Sequence, residues 1–432
     1  MIPGLADSRH LIILSVFLFV NVFCVNAQSS KTSDTLPPPF ATKSKMNFSK
    51  VVGWKNGAKP IAPAGFEVTE YAGELRNPRW MHVLPNGDVL IAESNTRYGL
   101  LKRIAAFFVG AHRSNSLRKS ADRITLLRDQ NKDGKPDERI ILLKNLNQPF
   151  GMLMLDNELY VANTNGVLKY GYKPGANTVE GNPEKIVDLP AGKINQHWPR
   201  NLLADKSGKK LFITVGSGDD HGEKGMENEV NRACILRINK DGSGLEVFAS
   251  GLRNPNGMAW APGTDDLYTV VNERDLLGDD LVPDYLTSVK ENGFYGWPYT
   301  YFGQHVDPRV PAPKPELVEK TIVPDLEIGA HTASLGLQFY TGSSFPEKYR
   351  NGAFIAQHGS WNRSVLSGYK VIFVPFENGK PKNVKEDFLT GFISDLKKDK
   401  VHGRPVGLAQ LPDGSLLVSD DRCNRIWRVA YK

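Results

Sequence analysis

The chain has 432 residues, 40% of them apolar, enough for a sizeable core in one large domain or two to three ordinary ones. Its 40 glycines and 28 prolines favour a turn-rich chain over a helical one. The formal net charge of +7 comes from scattered basic residues, which suits solubility or attraction of an anionic surface or small anion; with no nucleic-acid module in sight, it does not point to nucleic acid.

The first 27 residues read as a secretory signal outside the fold. Arg9 and His10 precede an apolar run over 11–25, which ends at a small-residue site at Ala27. The run is short for a membrane span, an uncleaved anchor being the alternative, and no later stretch is apolar enough to cross, so no transmembrane domain is expected after cleavage. A periplasmic or secreted location follows. Residues 28–45, with Pro37-Pro38-Pro39, read as a flexible polar tether, and 46–432 as a single domain. Cys234 and Cys423 remain after cleavage, each beside an apolar strand-like run. Two buried thiols are expected, although an oxidising compartment would permit a disulfide.

From residue 81 onward one theme recurs six times: an apolar pair, a turn with Gly, Asp or Asn, then an apolar strand. The copies start near Met81, Met152, Asn201, Gly257, Leu335 and Gly407. Each predicts two short strands around a turn, as Pro85-Asn86-Gly87 and Pro412-Asp413-Gly414 show most clearly. Repeated small sheets predict an all-β fold, a six-bladed β-propeller with loop insertions; an array of sandwiches is the alternative. One insertion, over 98–128, is basic and partly amphipathic. It reads as a helical or loop excursion over one sheet, with a segment lying on a membrane as the alternative. Another, Asp129 to Asp137, resembles the first half of a calcium loop, but Ile140 stands where that motif needs Glu. A hairpin turn is the better reading.

Unusual polar residues gather just before the two-strand units. Gln148 precedes Met152, His197 precedes Leu202, Arg253-Asn254 precedes Met258, His331 precedes Leu335, and His402 and Arg404 precede Leu408. In a propeller such equivalent positions fall on one face, near the central channel. There is no GxSxG, HExxH or P-loop. Arg and His on that face, with carboxylates and carbonyls near 272–280, suit an anionic ligand combined with an oxygen-seeking cation such as calcium.

Three motifs make the resemblance specific: Ile194-Asn195-Gln196-His197, Gly251-Leu252-Arg253-Asn254-Pro255-Asn256-Gly257 and Gly293-Phe294-Tyr295-Gly296-Trp297-Pro298. Together they resemble the soluble quinoprotein sugar dehydrogenases, six-bladed propellers that use pyrroloquinoline quinone (PQQ) and calcium. Asn272 to Asp284, His331 to Gly336 and His358 to Arg363 resemble the sorbosone/pyranose dehydrogenase-like branch. The resemblance implies hydride transfer from a sugar or sugar-derived aldehyde to PQQ, with electrons leaving through a separate acceptor. It implies His197 as the base and Arg253 and Asn254 as quinone contacts, Arg253 stabilising charge on the reduced quinone. Gln148 falls near a further contact, His331 is grouped with the cofactor contacts, and Arg404 matches an arginine holding cofactor carboxylates.

Three positions depart from the glucose-oxidising branch. Arg274-Asp275 replaces the Gly-Pro pair whose carbonyls bind calcium, Arg363 is the candidate substitute for a missing lysine near Ser360, and His402 replaces a second cofactor arginine. The aromatic run 294–302 is either a sugar-stacking wall or core. Two other readings stay open: a calcium-dependent propeller lactonase or sugar-binding protein without quinone, and an interaction scaffold.

Overall fold

A computed structural model describes residues 36–311 and 314–432; the expected signal and the start of the tether lie outside the described residues. The chain is nearly all β. Six antiparallel sheets of four main strands follow one another. The first is formed by Pro78–Val83, Val89–Glu93, Arg123–Arg128 and Glu138–Leu143, and the second by Met152–Leu155, Glu158–Asn163, Gly166–Gly171 and Glu180–Asp188. The third runs through Leu202–Ala204, Lys210–Val215, Cys234–Asn239 and Glu246–Ser250. The fourth takes Pro255–Trp260, Leu267–Val271, Pro283–Ser288 and Leu326–Ala330. The fifth is built on Ser334–Phe339, Gly352–Gln357, Lys370–Glu377 and Glu386–Leu389. The sixth joins Pro405–Gln410, Leu416–Asp420 and Arg425–Tyr431 to Phe66–Ala72, so the two ends of the domain close one sheet together.

Each of the six sequence copies is the first hairpin of one sheet. These hairpins are apolar on both faces because both faces are covered. In Val89–Glu93 the alternation of a strand sends Leu90 and Ala92 into a cluster shared with Phe150, Leu159 and Val161 of the second sheet. Val89 and Ile91 go the other way, against Leu417 and Ile426 of the sixth. The same sharing recurs around the molecule, and each of the six apolar clusters joins two neighbouring sheets. The largest is aromatic: Tyr340, Phe345, Tyr349, Phe373 and Phe388 surround Phe354.

The first strands of successive sheets touch in turn, and that of the sixth touches that of the first. This β-propeller-like closure depends on glycine. A Cβ on Gly257 would lie 2.6 Å from Leu337 N, one on Gly336 2.4 Å from Val406 O, and one on Gly407 2.6 Å from Arg79 O. Gly151 meets Leu202 N in the same way, at 2.6 Å.

The insertion over 98–128 is a helical excursion: α1 (Leu100–Phe108) and a short turn, Ala111–Ser114, between two strands of the first sheet. Asp129 to Asp137 turns the next hairpin, with Asp137 Oδ2 accepting Gln130 N–H at 2.8 Å and Asp129 Oδ2 accepting Gly134 N–H at 2.8 Å. Residues 36–45 dock on the loop after Val271: Phe40 N donates to Leu277 O (2.6 Å), and Thr42 Oγ1 accepts Asp279 N–H (2.7 Å). Both Cys234 and Cys423 are free thiols. Among the described residues, no helix is long and apolar enough to cross a membrane.

Gly257→Ala is expected to destabilise the fold by about 1–3 kcal/mol, the usual cost of overpacking. Gly99→Ala, where a Cβ would meet nothing within 4 Å, is expected to be near neutral. Chemical denaturation of both variants checks this, and equal midpoints would contradict it.

Candidate active site

The ring of first strands brings their preceding loops to one place. A cavity of about 230 Å³ opens there, lined among others by His197, Arg253, Asn254, Glu273, Asp275, His331 and Asn362. His197, Arg253, Asn254, His331 and Asp275 therefore meet, from loops up to 134 positions apart in the sequence.

His197 is held through Nδ1, 2.9 Å from Ser217 O and 3.0 Å from Ser217 Oγ. A carbonyl can only accept, so Nδ1 carries the proton and Nε2 presents a lone pair. Burial, then the nearby Arg253 charge, push the imidazole down to about 3, so the ring is neutral. Ser217 is itself fixed by donating to Asp219 O at 2.6 Å. Next to it, Gly218 N donates to both oxygens of Glu229 at 2.9 and 2.8 Å. Gly216 must lack a side chain, since a Cβ would lie 2.5 Å from Asn254 Oδ1 and 2.6 Å from His197 Cβ. Asn254 Oδ1 is buried without a hydrogen-bond partner, an acceptor left over at the cavity wall.

Arg253 is the most committed group. Its five N–H donors have acceptors in Asp220 O (3.2 Å), Asp220 Oδ1 (2.7 Å), Asp275 Oδ2 (3.1 Å), Glu273 O (2.6 Å) and Asn272 O (3.4 Å). Burial opposes the guanidinium charge, but Asp220, Asp275 and Glu273 outweigh it and raise its pKa. Asp220 in turn accepts Asp275 N–H (2.9 Å) and faces Arg309 (3.3 Å). Burial would raise the Asp220 carboxyl, yet Arg253 holds it well below the usual carboxylate range.

The expected metal edge, Arg274-Asp275, is an ion-pair network. The Arg274 side chain is fully buried and points away from the cavity, bonded to Glu273 Oε2 (3.0 Å), Pro298 O (2.9 Å) and Asp307 (3.2 Å). Asp275 is bonded through Oδ1 to Asn362 Nδ2 (2.5 Å), through Oδ2 to Arg253, and through its carbonyl to Arg309 (2.7 Å). His331 donates from Nε2 to Gly278 O (2.8 Å) and lies 3.8 Å from Asp275. Burial lowers its affinity for a proton, but Asp275 outweighs burial and raises its pKa. The Arg253 guanidinium and the His331 imidazole thus flank the Asp275 carboxylate. Among the described residues, no three His, Cys, Asp or Glu side chains cluster as metal ligands. Glu273 Oε1, buried and unpartnered, is the one spare carboxylate oxygen at the cavity, and the carbonyls of Asn272, Glu273 and Asp275 already accept from Arg253 and Arg309.

A second cavity of about 350 Å³ adjoins the first and shares His197, Asn254, Asn272 and Trp361 with it. Arg79, Arg404, Arg422 and His358 line it. Arg404 donates from Nε to His358 O (2.7 Å) and from Nη2 to Gly359 O, with its guanidinium 5.1 Å from the Tyr369 ring centre. Arg79 pairs with Asp421 at 2.7 Å, and His358 Nε2 lies 2.9 Å from the same carboxylate. Burial lowers the pKa of both Arg79 and Arg404, and Arg422 beside them lowers it further. Asp421 is held well below the carboxylate range against burial, mainly by Arg422, while burial pushes Asp420 up to about 6. Three buried guanidinium groups thus face one carboxylate, Arg422 Nε lying 3.3 Å from Asp421 Oδ2, and the unpartnered Nε of Arg79 leaves a donor to spare. This channel suits a planar polyanion.

Three expected contacts lie elsewhere. Gln148 donates to Asn95 O (3.0 Å) and lines an adjoining recess of about 550 Å³ with Tyr98, Lys102, Gln196 and Trp198. Arg363 clamps the loop at Asp279 O (3.0 Å) and Asp280 (2.6 Å). His402 stacks on Trp54 at 4.7 Å and bonds Gly53 O at 2.8 Å. Neither Arg363 nor His402 lines either cavity, because each is held by a neighbouring loop instead. Conversely, Arg79, Arg422, Asp220 and Asn362 were not anticipated. The repeat of Leu252-Arg253-Asn254-Pro255 as Leu75-Arg76-Asn77-Pro78 marks this stretch, but it equates Arg76 with Arg253 and places Arg79 opposite Asn256.

With the folded His197 titrating near 3 and the unfolded ring near 6.5, the unfolded chain binds the extra proton between those values. The stability from burying the ring neutral is complete above about pH 6.5 and is lost as pH falls toward 3. NMR titration of the His197 ring in the free protein should show it neutral at pH 5; a midpoint near 6.5 would contradict this environment.

The TrAA12-like family model matches residues 60–283 and 317–432. An uncharacterized protein of Borreliella burgdorferi is 33% identical over 305 residues, 67% of this chain and 78% of that protein. Among solved structures, the iodide structure of Trichoderma reesei Carbohydrate-Active Enzymes Family AA12 superposes with TM-score 0.71 at 20% identity, over 89% of this chain and 100% of that one. The holo form of the pyranose dehydrogenase PQQ domain from Coprinopsis cinerea does so with TM-score 0.69 at 18% identity, over 89% and 100%. At these identities the two structures speak for the β-propeller-like fold, while the family match extends along most of the domain: the chain belongs to the TrAA12-like family.

Proposed function

We propose that the protein is an exported quinoprotein oxidoreductase that oxidises a sugar or sugar-derived aldehyde with PQQ, on a propeller whose six sheets are its blades. The observation that carries this reading is the junction of the two cavities. A neutral His197 with a free Nε2 stands where a cationic channel, lined by Arg79, Arg404 and Arg422, meets the smaller chamber. The family membership and the structural neighbour described as a holo PQQ domain of a pyranose dehydrogenase support the same cofactor.

PQQ bound there supplies a quinone that accepts a hydride. Arg404, with Arg79 and Arg422, would hold its carboxylates by charge-assisted hydrogen bonds. Asn254 and Arg253 line the chamber on the side of His197. Arg253 acts there as a fixed positive charge rather than a free donor, because its N–H groups are already committed. His197 Nε2 would take the hydroxyl proton of the sugar, or of the hydrate of a sugar aldehyde, at the carbon that gives up hydride, and the Nδ1–H bond to Ser217 keeps the ring in the tautomer that can do so. His331 keeps Asp275 and the Gly278 turn in place. Calcium has less support than PQQ, since the Arg274-Asp275 edge carries its own ion pairs, and no step is written through it.

The test adds PQQ, with and without calcium, to the purified protein and follows reduction of an artificial electron acceptor with a panel of aldoses and sugar aldehydes. PQQ-dependent dye reduction is expected. His197→Ala should keep PQQ binding and lose turnover by about 10²–10⁴-fold, the usual range for a general base. Absence of PQQ-dependent reduction with every sugar would leave a sugar-binding propeller instead. Undiminished turnover in the variant would assign the base elsewhere. A chelator that leaves the rate unchanged would remove calcium from the account.

A further inference from the structure

The feature that the proposed reaction does not use is α1. It carries Leu100, Leu101, Ile104, Phe107 and Phe108 at i, i+1, i+4, i+7 and i+8, the spacing of one helical face. In a globular protein that face packs on the core. Here no residue of α1 is buried, and Leu101 and Phe108 are 81% and 82% exposed. An apolar cleft of about 500 Å³ lies beside it, lined by Leu100, Ile104, Phe107, His112, Leu117 and Arg103.

The surrounding sequence is wholly cationic. Residues 94–121 contain Arg97, Lys102, Arg103, Arg113, Arg118 and Lys119 and no Asp or Glu. Among the described residues only Arg97 of these six forms an ion pair, with Asp122. An exposed apolar stripe inside a collar of unpaired cations is the chemistry of a helix lying in the interface of an anionic bilayer. Nine residues span about 14 Å, far short of a bilayer core of about 30 Å, so α1 can lie in the surface but not cross it. A second copy of this chain fits less well, because a two-fold contact through this face would set the six cations against their own counterparts.

We propose that α1 docks the protein on an anionic lipid surface, with Leu101, Ile104 and Phe108 entering the interface and Lys102, Arg103, Arg113 and Lys119 meeting headgroups. Lys102 and Tyr98 also line the recess beside Gln148, which shares Gln196 with both cavities and Trp198 with the second. Docking therefore brings the mouth of the candidate site toward the membrane. The inference rests on α1 alone and stands whether or not the chain uses PQQ.

The test uses the full chain with vesicles of phosphatidylcholine alone and of phosphatidylcholine mixed with phosphatidylglycerol. Cosedimentation should favour the mixed vesicles and weaken in high salt. Leu101→Asp/Phe108→Asp should lower that affinity about tenfold or more and leave the melting temperature unchanged, since neither side chain is buried. An uncleaved apolar run at 11–25 would itself draw the full chain to lipid, so a second measurement reads α1 directly: with Phe108→Trp, brominated lipid in the mixed vesicles should quench the introduced indole beyond the quenching seen in the parent. No additional quenching would overturn the proposal. So would an unchanged lipid affinity in the double Asp variant, or a loss of self-association or of an acidic protein partner in place of lipid binding.

Discussion

The structure depends on how closely the first strands of neighbouring sheets approach one another. Gly151, Gly257, Gly336 and Gly407 let backbone meet backbone where any Cβ would fall within 2.4 to 2.6 Å of a main-chain atom. That contact sets the diameter of the ring, and with it the distance between the loops that enter the strands. The site is therefore a consequence of packing. Groups separated by over a hundred residues share one chamber because the strands they precede cannot stand farther apart and still bury Leu90, Val161, Ile213 and their counterparts between sheets.

Within the chamber, electrostatics divides the labour. On one side Arg253, Asp220, Asp275 and Arg309 neutralise one another so fully that few donors are left for a ligand. Such a network is costly to desolvate and costly to break, so it acts as rigid wall. On the other side Arg79, Arg404 and Arg422 share few carboxylates, and burial first, then their mutual repulsion, depresses the pKa of Arg79 and Arg404. An anionic ligand relieves that repulsion only in the second region. His197 sits at the boundary, kept neutral by burial and by the Arg253 charge.

Local sequence carried the sheets well. Turn chemistry at Asn86-Gly87 and Asp413-Gly414 and the apolar pairs around it mark the first hairpin of each sheet, because those signals are short-range. It carried less of the closure, since the pairing of Phe66–Ala72 with Arg425–Tyr431 has no local signature. His197, Arg253, Asn254, His331 and Arg404 were legible from their shared position ahead of each hairpin. Arg363 and His402 were not, because equivalence along the chain says nothing of which way a side chain turns: Asp279 and Asp280 draw Arg363 outward, and Trp54, arriving from the N-terminal segment, covers His402. The surroundings of the Arg274-Asp275 edge were hidden for a similar reason. Its partners Asp307 and Arg309 come from a loop some 30 residues on, and they tie the edge into an ion-pair network.

The central claim is that the arginine-lined channel beside His197 is a PQQ site. Its most direct test is an equilibrium titration of PQQ into the parent protein and into Arg404→Met and Arg422→Met variants whose folding is verified by thermal melting. Each lost charge-assisted hydrogen bond, worth about 1.5–3 kcal/mol, should weaken binding roughly 10- to 100-fold, and salt should weaken the parent. Binding that is absent in the parent, or unchanged in both variants, would contradict the account.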